Sequence, residues 1–158
     1  MNRRMLLGGL IAGTVVSPWM MHEANAAAEA FEVTRTDAEW RAMLSSQEYK
    51  VMRKEGTERA GTSPLDKNTE RGNYVCRGCD LPLYSSKHKY DSGTGWPSFY
   101  KALSNSIATK PDRSIWGVNT ECHCKRCGSH LGHIFDDGPK PTGKRHCING
   151  VSLKFQAA

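Results

Sequence analysis

Two short cysteine motifs, Cys76-Arg-Gly-Cys79 and Cys124-Lys-Arg-Cys127, decide the fold of this chain. Each Cys-x-x-Cys turn places two thiolates on one side of a tight loop, and two such loops supply the four ligands of a tetrahedral zinc ion. Asp80 and Gly128 follow the two motifs and are residues typical of turns. Because four protein thiolates leave no open position, we expect one structural zinc per chain that stabilises a small domain.

Structural disulfides and a redox-active Cys-x-x-Cys pair are the alternatives for these four cysteines. A reducible dithiol of the thioredoxin kind is expected once, near a strand-to-helix turn, and two copies among β-like segments fit that pattern poorly. The spacing therefore favours zinc. Two further cysteines, Cys122 and Cys147, fall outside the pairs.

The first 26 residues are expected to be an export signal of the twin-arginine type. Arg3 and Arg4 precede an apolar run that continues to Val16, and the small residue Ala26 precedes the expected cleavage site. A membrane anchor is the alternative, but the apolar run is shorter than the about 20 residues of a spanning helix. We therefore expect a single domain over residues 27–158, located in the bacterial periplasm and not stably inserted in the membrane.

The charge of the chain permits anionic partners without requiring them. Its 22 Lys and Arg against 16 Asp and Glu give a net charge of +6. The basic residues are scattered, and they form no stripe interleaved with aromatic residues of the kind that binds nucleic acid. We expect a solvated basic surface, no nucleic-acid partner and a monomer.

Helical signals are confined to the first part of the predicted domain. Thr36-Asp-Ala-Glu39 has the form of a capping box and predicts a helix that begins near Asp37. A second capping box, Ser45 to Glu48, predicts another short helix, which Gly56 should end. Residues 58–71 are polar and irregular.

From Gly72 onward, short β-like segments alternate with turn residues. In the last of them Val151, Leu153 and Phe155 alternate with polar residues, which predicts a strand with one buried face. The pattern predicts a mainly β domain with an antiparallel, zinc-stapled structure. The segments are Asn73–Cys76, Leu81–Tyr84, Asn105–Thr109, Ser114–Cys124, His133–Phe135, Arg145–Ile148 and Val151–Phe155.

Cys147 is the candidate reactive residue. A thiol reacts as its thiolate, and the neighbouring Arg145 and His146 are able to lower the pKa of Cys147. A buried strand cysteine that acts as a small hydrophobe is the alternative, and the pattern alone leaves it open.

Trp96 and two histidines are further candidates. Trp96 follows two glycines, which allow close backbone approach, and precedes a proline, although an ordinary core tryptophan has the same pattern. His130 and His133 form a His-x-x-His motif that is weak as a metal site without a third ligand. A cluster that orients a polar group of a substrate suits them better.

The chain resembles the B-type methionine sulfoxide reductases in five ordered segments, and the match runs from about Thr36 to Phe155. The resemblance implies an enzyme that reduces the R epimer of methionine sulfoxide, a peptide-methionine (R)-S-oxide reductase. It also implies a fold of two antiparallel β-sheets with a few flanking helices. The segments are Gly56–Arg59, Gly72–Cys79, Tyr90–Phe99, His130–Pro139 and Pro141–Asn149.

The resemblance also implies roles for individual residues. Cys147 matches the nucleophile, which takes the sulfoxide oxygen and becomes a sulfenic acid. Trp96 holds the substrate methyl group, and His133 donates to the oxygen with help from His130 and Asn149. Besides the four zinc cysteines, the family pattern includes an arginine two residues before the nucleophile, here Arg145.

This sequence departs from the family pattern at two positions. Thr94 stands where many members carry the cysteine that resolves the sulfenic acid. Cys122 is then either a resolving thiol or a buried strand cysteine, and the third possibility is an external reductant such as thioredoxin, glutaredoxin or glutathione. His146 replaces an aromatic residue beside Cys147, and strand alternation places it on the opposite face.

Two other classes of protein compete with the enzyme interpretation. A zinc-ribbon-like binding module without catalysis explains the cysteine motifs and the basic charge, but not the export signal or Cys147. A structural secreted zinc protein leaves Trp96 and His133 without a role. For the enzyme, oxidised proteins are the expected substrates, and free methionine sulfoxide stays open.

Overall fold

The computed structural model describes residues 30–114 and 117–158 of this chain. The predicted export signal falls on residues 1–26 and lies outside the described residues. The elements are α1 (Asp37–Met43), α2 (Ser46–Lys54), β1 (Gly72–Cys76), β2 (Pro82–Ser85), β3 (Lys89–Tyr90), β4 (Ser98–Phe99), β5 (Ile107–Ser114), β6 (Gly117–Cys124), β7 (His130–Phe135), β8 (Arg145–Ile148) and β9 (Leu153–Ala157).

Both helices begin at the predicted capping boxes. The side chain of Thr36 accepts a hydrogen bond from the backbone of Glu39, and the side chain of Ser45 does the same for Glu48. Helix α2 ends at Lys54, and its C-cap Glu55, one residue before the predicted Gly56, has a left-handed φ of 53°. Neither helix of the described residues is long and apolar enough to cross a membrane.

The strands form two antiparallel sheets, which confirms the predicted fold class. One sheet has three strands in the order β2-β1-β9, and the other has six in the order β3-β4-β8-β7-β6-β5. Aromatic residues fill the core: the ring of Tyr84 stacks on Phe99 at 4.3 Å between centroids, and Tyr74 meets Phe99 edge-on at 5.0 Å. Trp40, Tyr49 and Met52 extend this core from the helices.

The predicted boundaries around residue 114 are wrong. The segments expected at 105–109 and 114–124 are the two arms of one hairpin, in which Ile107 pairs with Cys124 and Ser114 with Gly117. Pro111 lies inside β5 without ending it, because β5 is an edge strand, the position in a sheet where proline is tolerated.

The last predicted strand also begins too early. Residues 150–152 form a 3₁₀ turn and Ser152 is buried, so regular strand geometry starts only at Leu153. The two-residue strands β3 and β4 were not predicted, because two residues carry no periodic signal. These two short strands complete the sheet that carries the candidate site.

Candidate active site and metal centre

The four paired cysteines converge on one point between the sheets. Their Sγ atoms all lie within 4.8 Å of one another, with Cys76 and Cys127 3.7 Å apart and Cys79 and Cys124 3.5 Å apart. A tetrahedral site with Zn–S bonds of about 2.3 Å has S–S edges of about 3.8 Å, whereas a disulfide needs about 2.05 Å. The four thiols therefore fit a tetrahedral metal and not two disulfides.

The two cysteine turns have the same backbone geometry. The residue after each second cysteine donates its N–H to the carbonyl of the first, at 2.9 Å both for Asp80 to Cys76 and for Gly128 to Cys124. Both residues have a left-handed φ, 60° for Asp80 and 67° for Gly128. Because one turn follows β1 and the other follows β6, a metal held here joins the two sheets.

Strand register places a row of polar side chains across one face of the six-stranded sheet. In each neighbouring pair of strands the row residues are directly opposite, so their side chains project from the same face. The row runs from β3 through β4, β8 and β7 to β6 and consists of Tyr90, Ser98, Cys147, His133 and Glu121.

A cavity of about 220 Å³ opens over this row. Gly132 forms part of its floor, where a Cβ would lie 2.0 Å from the carbonyl oxygen of Cys147, so the close approach of β7 and β8 requires glycine. Four of the six residues predicted for the catalytic site meet in this cavity. Its lining consists of Thr57, Trp96, Gly132, His133, Phe135, Cys147 and Asn149.

The Cys147 thiol is half-buried, and opposing effects act on its pKa. Burial raises the pKa of Cys147 above its ordinary value, whereas the Arg145 charge and hydrogen bonds from Thr94 and Arg145 lower it. Burial prevails. His146 adds no charge at neutral pH, because burial lowers the pKa of that imidazole to about 4. Of the two expected activators, only Arg145 acts on the thiol.

His146 packs in the core on the other face of β8, as strand alternation predicts. Its Nδ1 lies 3.2 Å from the hydroxyl of Tyr84, and it is 8% exposed. Its register partners on the neighbouring strands are Phe99 and Ile134. The position therefore contributes packing and lies outside the cavity.

The two predicted pocket histidines have different surroundings. His133 lines the cavity, and its Nε2 lies 3.0 Å from Asp112 Oδ2. His130 is 2% exposed and lies behind His133, with 5.5 Å between the ring centroids. Its Nδ1 donates to the buried carboxylate of Glu121 at 2.6 Å. His130 thus supports the cavity from below and does not line it.

Glu121 is charged although it is buried. Burial alone raises the pKa of Glu121, but hydrogen bonds from His123 and His130 outweigh that effect and hold the pKa at about 2. The His123 contact is 2.9 Å long. The carboxylate consequently fixes which nitrogen of His130 carries a proton and how the ring is oriented.

Trp96 and Asn149 are both held by hydrogen bonds to one loop residue. The indole Nε1 of Trp96 donates to the carbonyl of Glu58 at 3.1 Å. The side-chain oxygen of Asn149 accepts from the N–H of Glu58 at 2.9 Å, and its Nδ2 donates to the carbonyl of Leu131 at 3.1 Å. Within residues 30–114 and 117–158 the second N–H of the Asn149 amide makes no further hydrogen bond, and Asn149 lines the cavity.

Arg145 lies beside the cavity, outside its lining. Its guanidinium forms two 2.8 Å hydrogen bonds to the carboxylate of Asp137 and lies 4.5 Å from the ring centroid of Phe135. A fork of this kind holds the cation in one orientation close to Cys147. The arginine acts on the thiol through its charge and its hydrogen bond.

Cys122 lies on the opposite face of the sheet from Cys147. Cys122 pairs with Gly132, whereas Cys147 pairs with His133, the next residue of β7. Because successive residues of a strand project to opposite faces, the two cysteine side chains lie on opposite faces of the sheet. The thiol is fully buried, and burial raises its pKa well above the ordinary value. This geometry favours the buried strand cysteine over the resolving thiol.

Three acidic residues of the site were missed by the sequence reasoning. Glu121 had a detectable signal, since alternation along the predicted strand puts it on the same face as His123. Asp112 lies in a segment that was not predicted as strand. Glu58 lies in an irregular loop, where no periodicity shows which way a side chain points.

Comparison with known proteins agrees with this geometry. The model of the SelR domain family matches residues 44–157. A relative named "Peptide methionine sulfoxide reductase MsrB" from Leptospira interrogans is 48% identical over 127 residues, which cover 80% of this chain and 97% of that protein. A relative with the same name from Thiobacillus denitrificans is 52% identical over 122 residues, which cover 77% of this chain and 92% of that protein. A third, from Methanosarcina barkeri, is 49% identical over 125 residues, which cover 78% of this chain and 88% of that protein. The chain therefore belongs to the B-type methionine sulfoxide reductase family.

Proposed function

We propose that this protein reduces the R epimer of methionine sulfoxide in oxidised proteins to methionine, with Cys147 as the nucleophile. The observation that carries the proposal is the cavity in which Cys147, Trp96 and His133 meet. A thiol, an aromatic ring and a hydrogen-bond donor are what a sulfoxide needs for attack at sulfur, for holding the methyl group and for stabilising the oxygen.

Binding of one epimer depends on the fixed orientation of Trp96. A sulfoxide sulfur carries an oxygen, a lone pair and two carbon arms. With the methyl group on the indole ring and the oxygen directed at His133 and Asn149, only one epimer presents its sulfur to Cys147. The hydrogen bond from the indole N–H to Glu58 supports this arrangement, because it prevents rotation of the ring.

The chemical step transfers oxygen from substrate sulfur to enzyme sulfur. The Cys147 thiolate attacks the sulfoxide sulfur and forms an S–S bond, while the oxygen takes up a proton from His133 and accepts a hydrogen bond from Asn149, so that no full oxyanion forms. The hydroxyl group of this adduct then transfers to the Cys147 sulfur as the new S–S bond and the substrate S–O bond break, which leaves Cys147 as a sulfenic acid and releases methionine. The thiol loses two electrons, and the sulfoxide gains them.

Zinc is the proposed ion of the four-cysteine centre. The tetrahedral thiolate set suits zinc, and a site with four protein ligands supports a structural role. The reaction then needs nothing from the metal except the fold that positions β6 and β8.

An external thiol is the proposed reductant of the Cys147 sulfenic acid. Thr94 at the usual resolving position and the location of Cys122 across the sheet both support this route. One thiol condenses with the sulfenic acid to give a mixed disulfide and water, and a second thiol releases Cys147. Thioredoxin, glutaredoxin and glutathione are the candidate classes.

The protein is proposed to act as a monomer in the periplasm, after export and cleavage of the leader. The twin-arginine-like start of the sequence supports this location. Expression of the full chain, fractionation and N-terminal sequencing test it. A cytoplasmic, uncleaved product would refute the proposed location.

A reduction assay with dithiothreitol tests the activity on peptides that contain one epimer or the other. Wild type should consume only the R epimer, and Cys147→Ser should abolish turnover while zinc content stays unchanged. Cys122→Ser is the matched control and should retain turnover. Failure of the wild type to reduce either epimer would favour the zinc-ribbon-like binding module, and activity in Cys147→Ser would refute the nucleophile.

A further inference from the structure

Glu58 is a buried residue in the loop between α2 and β1, and its carboxylate takes no part in the proposed chemistry. It is 3% exposed. Its two oxygens accept hydrogen bonds from the backbone N–H groups of Gly150, at 2.5 Å, and Val151, at 3.2 Å. Within the described residues these backbone groups, and not a cation, satisfy the carboxylate, which is a costly arrangement that a simple loop does not need.

The backbone of the same residue holds both walls of the cavity. Its N–H donates to the side-chain oxygen of Asn149 at 2.9 Å, and its carbonyl accepts the indole N–H of Trp96 at 3.1 Å. Trp96 precedes β4, and Asn149 follows β8. Glu58 therefore links two strand ends that have no covalent connection near the site.

We propose that Glu58 is a positioning residue for the substrate pocket: its carboxylate anchors the loop on the Gly150–Val151 turn so that its backbone fixes Trp96 and Asn149. The inference rests on the proposed reduction of methionine sulfoxide. Epimer choice and affinity depend on where the indole ring stands, and small displacements of a positioning group have large kinetic effects.

Close packing at Gly150 shows how tightly the loop is seated. A Cβ at this position would lie 1.8 Å from Ser63 Oγ and 3.3 Å from Glu58 Oε1. The loop and the turn are therefore in contact at the anchoring carboxylate. The added methyl group of Gly150→Ala should push the loop that carries Ser63 and Glu58 away from the turn, and so reproduce the effect of removing the carboxylate.

The variants Glu58→Gln, Glu58→Ala and Gly150→Ala test the proposal, with Glu70→Gln, an exposed residue of the same loop, as the control. We expect KM for the R-epimer peptide to rise about tenfold in Glu58→Ala and Gly150→Ala and less in Glu58→Gln, while kcat changes less than about threefold. Alkylation of Cys147 by iodoacetamide should proceed at the wild-type rate, since the thiol itself is not displaced.

A double-mutant cycle with Trp96→Phe separates positioning from general destabilisation. If Glu58 acts through Trp96, Glu58→Ala should raise KM by less than about threefold in the Trp96→Phe background. An unchanged KM in Glu58→Ala, or equal losses of kcat, alkylation rate and zinc, would overturn the proposal. If Glu58→Ala does not fold, Glu58→Gln replaces it in the same measurements of KM, kcat, alkylation rate and zinc content, because glutamine keeps the side-chain volume and one acceptor oxygen. Wild type inactive on both epimers would instead refute the proposed function.

Discussion

At the scale of single residues, the reactivity of Cys147 depends on how burial is opposed by a neighbouring cation. Burial raises the pKa of the thiol, and the Arg145 charge is the largest effect that lowers it. The thiolate fraction of the free enzyme should therefore still be rising with pH above neutrality, and the rate of Cys147 alkylation should rise with it.

Removal of the Arg145 charge should shift the pH profile of Cys147 alkylation to higher pH. Arg145→Met keeps much of the side-chain stem but loses the charge, so the pKa of Cys147 should rise and alkylation at pH 7.5 should slow several-fold. The measurement is the rate of iodoacetamide modification as a function of pH. Lys144→Met, with the same loss of charge at an exposed neighbouring position, is the control and should leave the profile in place. A profile that stays unchanged in Arg145→Met would contradict the role of the arginine.

The elements show where local sequence signals suffice and where they do not. Both capping boxes predicted helix starts, because each is a contact within four residues of chain. The β5–β6 hairpin was misread, because tolerance of Pro111 depends on β5 being the edge of the sheet, which only the assembled fold decides. The same holds for β4, whose two residues are strand only through pairing with β3 and β8.

The cysteine turns should stabilise the contact between the two sheets. Cys76→Ser removes one thiolate at the end of β1, and serine is a poor zinc ligand, so metal should be lost and the thermal midpoint should fall by more than about 10 °C. Metal analysis and thermal unfolding check both outcomes. Cys122→Ser is the matched control and should keep its zinc. Protein that contains no metal when it is purified as wild type would refute the zinc assignment.

At the scale of the whole molecule, the candidate site combines residues that sequence motifs identify with residues that they do not. Cys147, Trp96, His133 and Asn149 lie in ordered motifs, and the structure brings them to one cavity. Glu58 supports that cavity from a loop, through contacts to residues far away in the chain, and Glu121 supports it from β6 through His130 on the neighbouring β7. The Glu58 contacts exist only once β4, β8 and the loop are assembled, so no local pattern predicts them.

At the same scale, the proposed regeneration of Cys147 depends on the six-stranded sheet. Cys147 and Cys122 project from opposite faces, so an internal disulfide would require the sheet to open. After one turnover with methionine sulfoxide and no reductant, Cys147 should therefore accumulate as a sulfenic acid that dimedone traps. Mass spectrometry should find equal amounts of the adduct in wild type and Cys122→Ser. A peptide in which Cys122 and Cys147 are joined by a disulfide would show that the sheet does open, and that recycling begins inside the chain before any external thiol arrives.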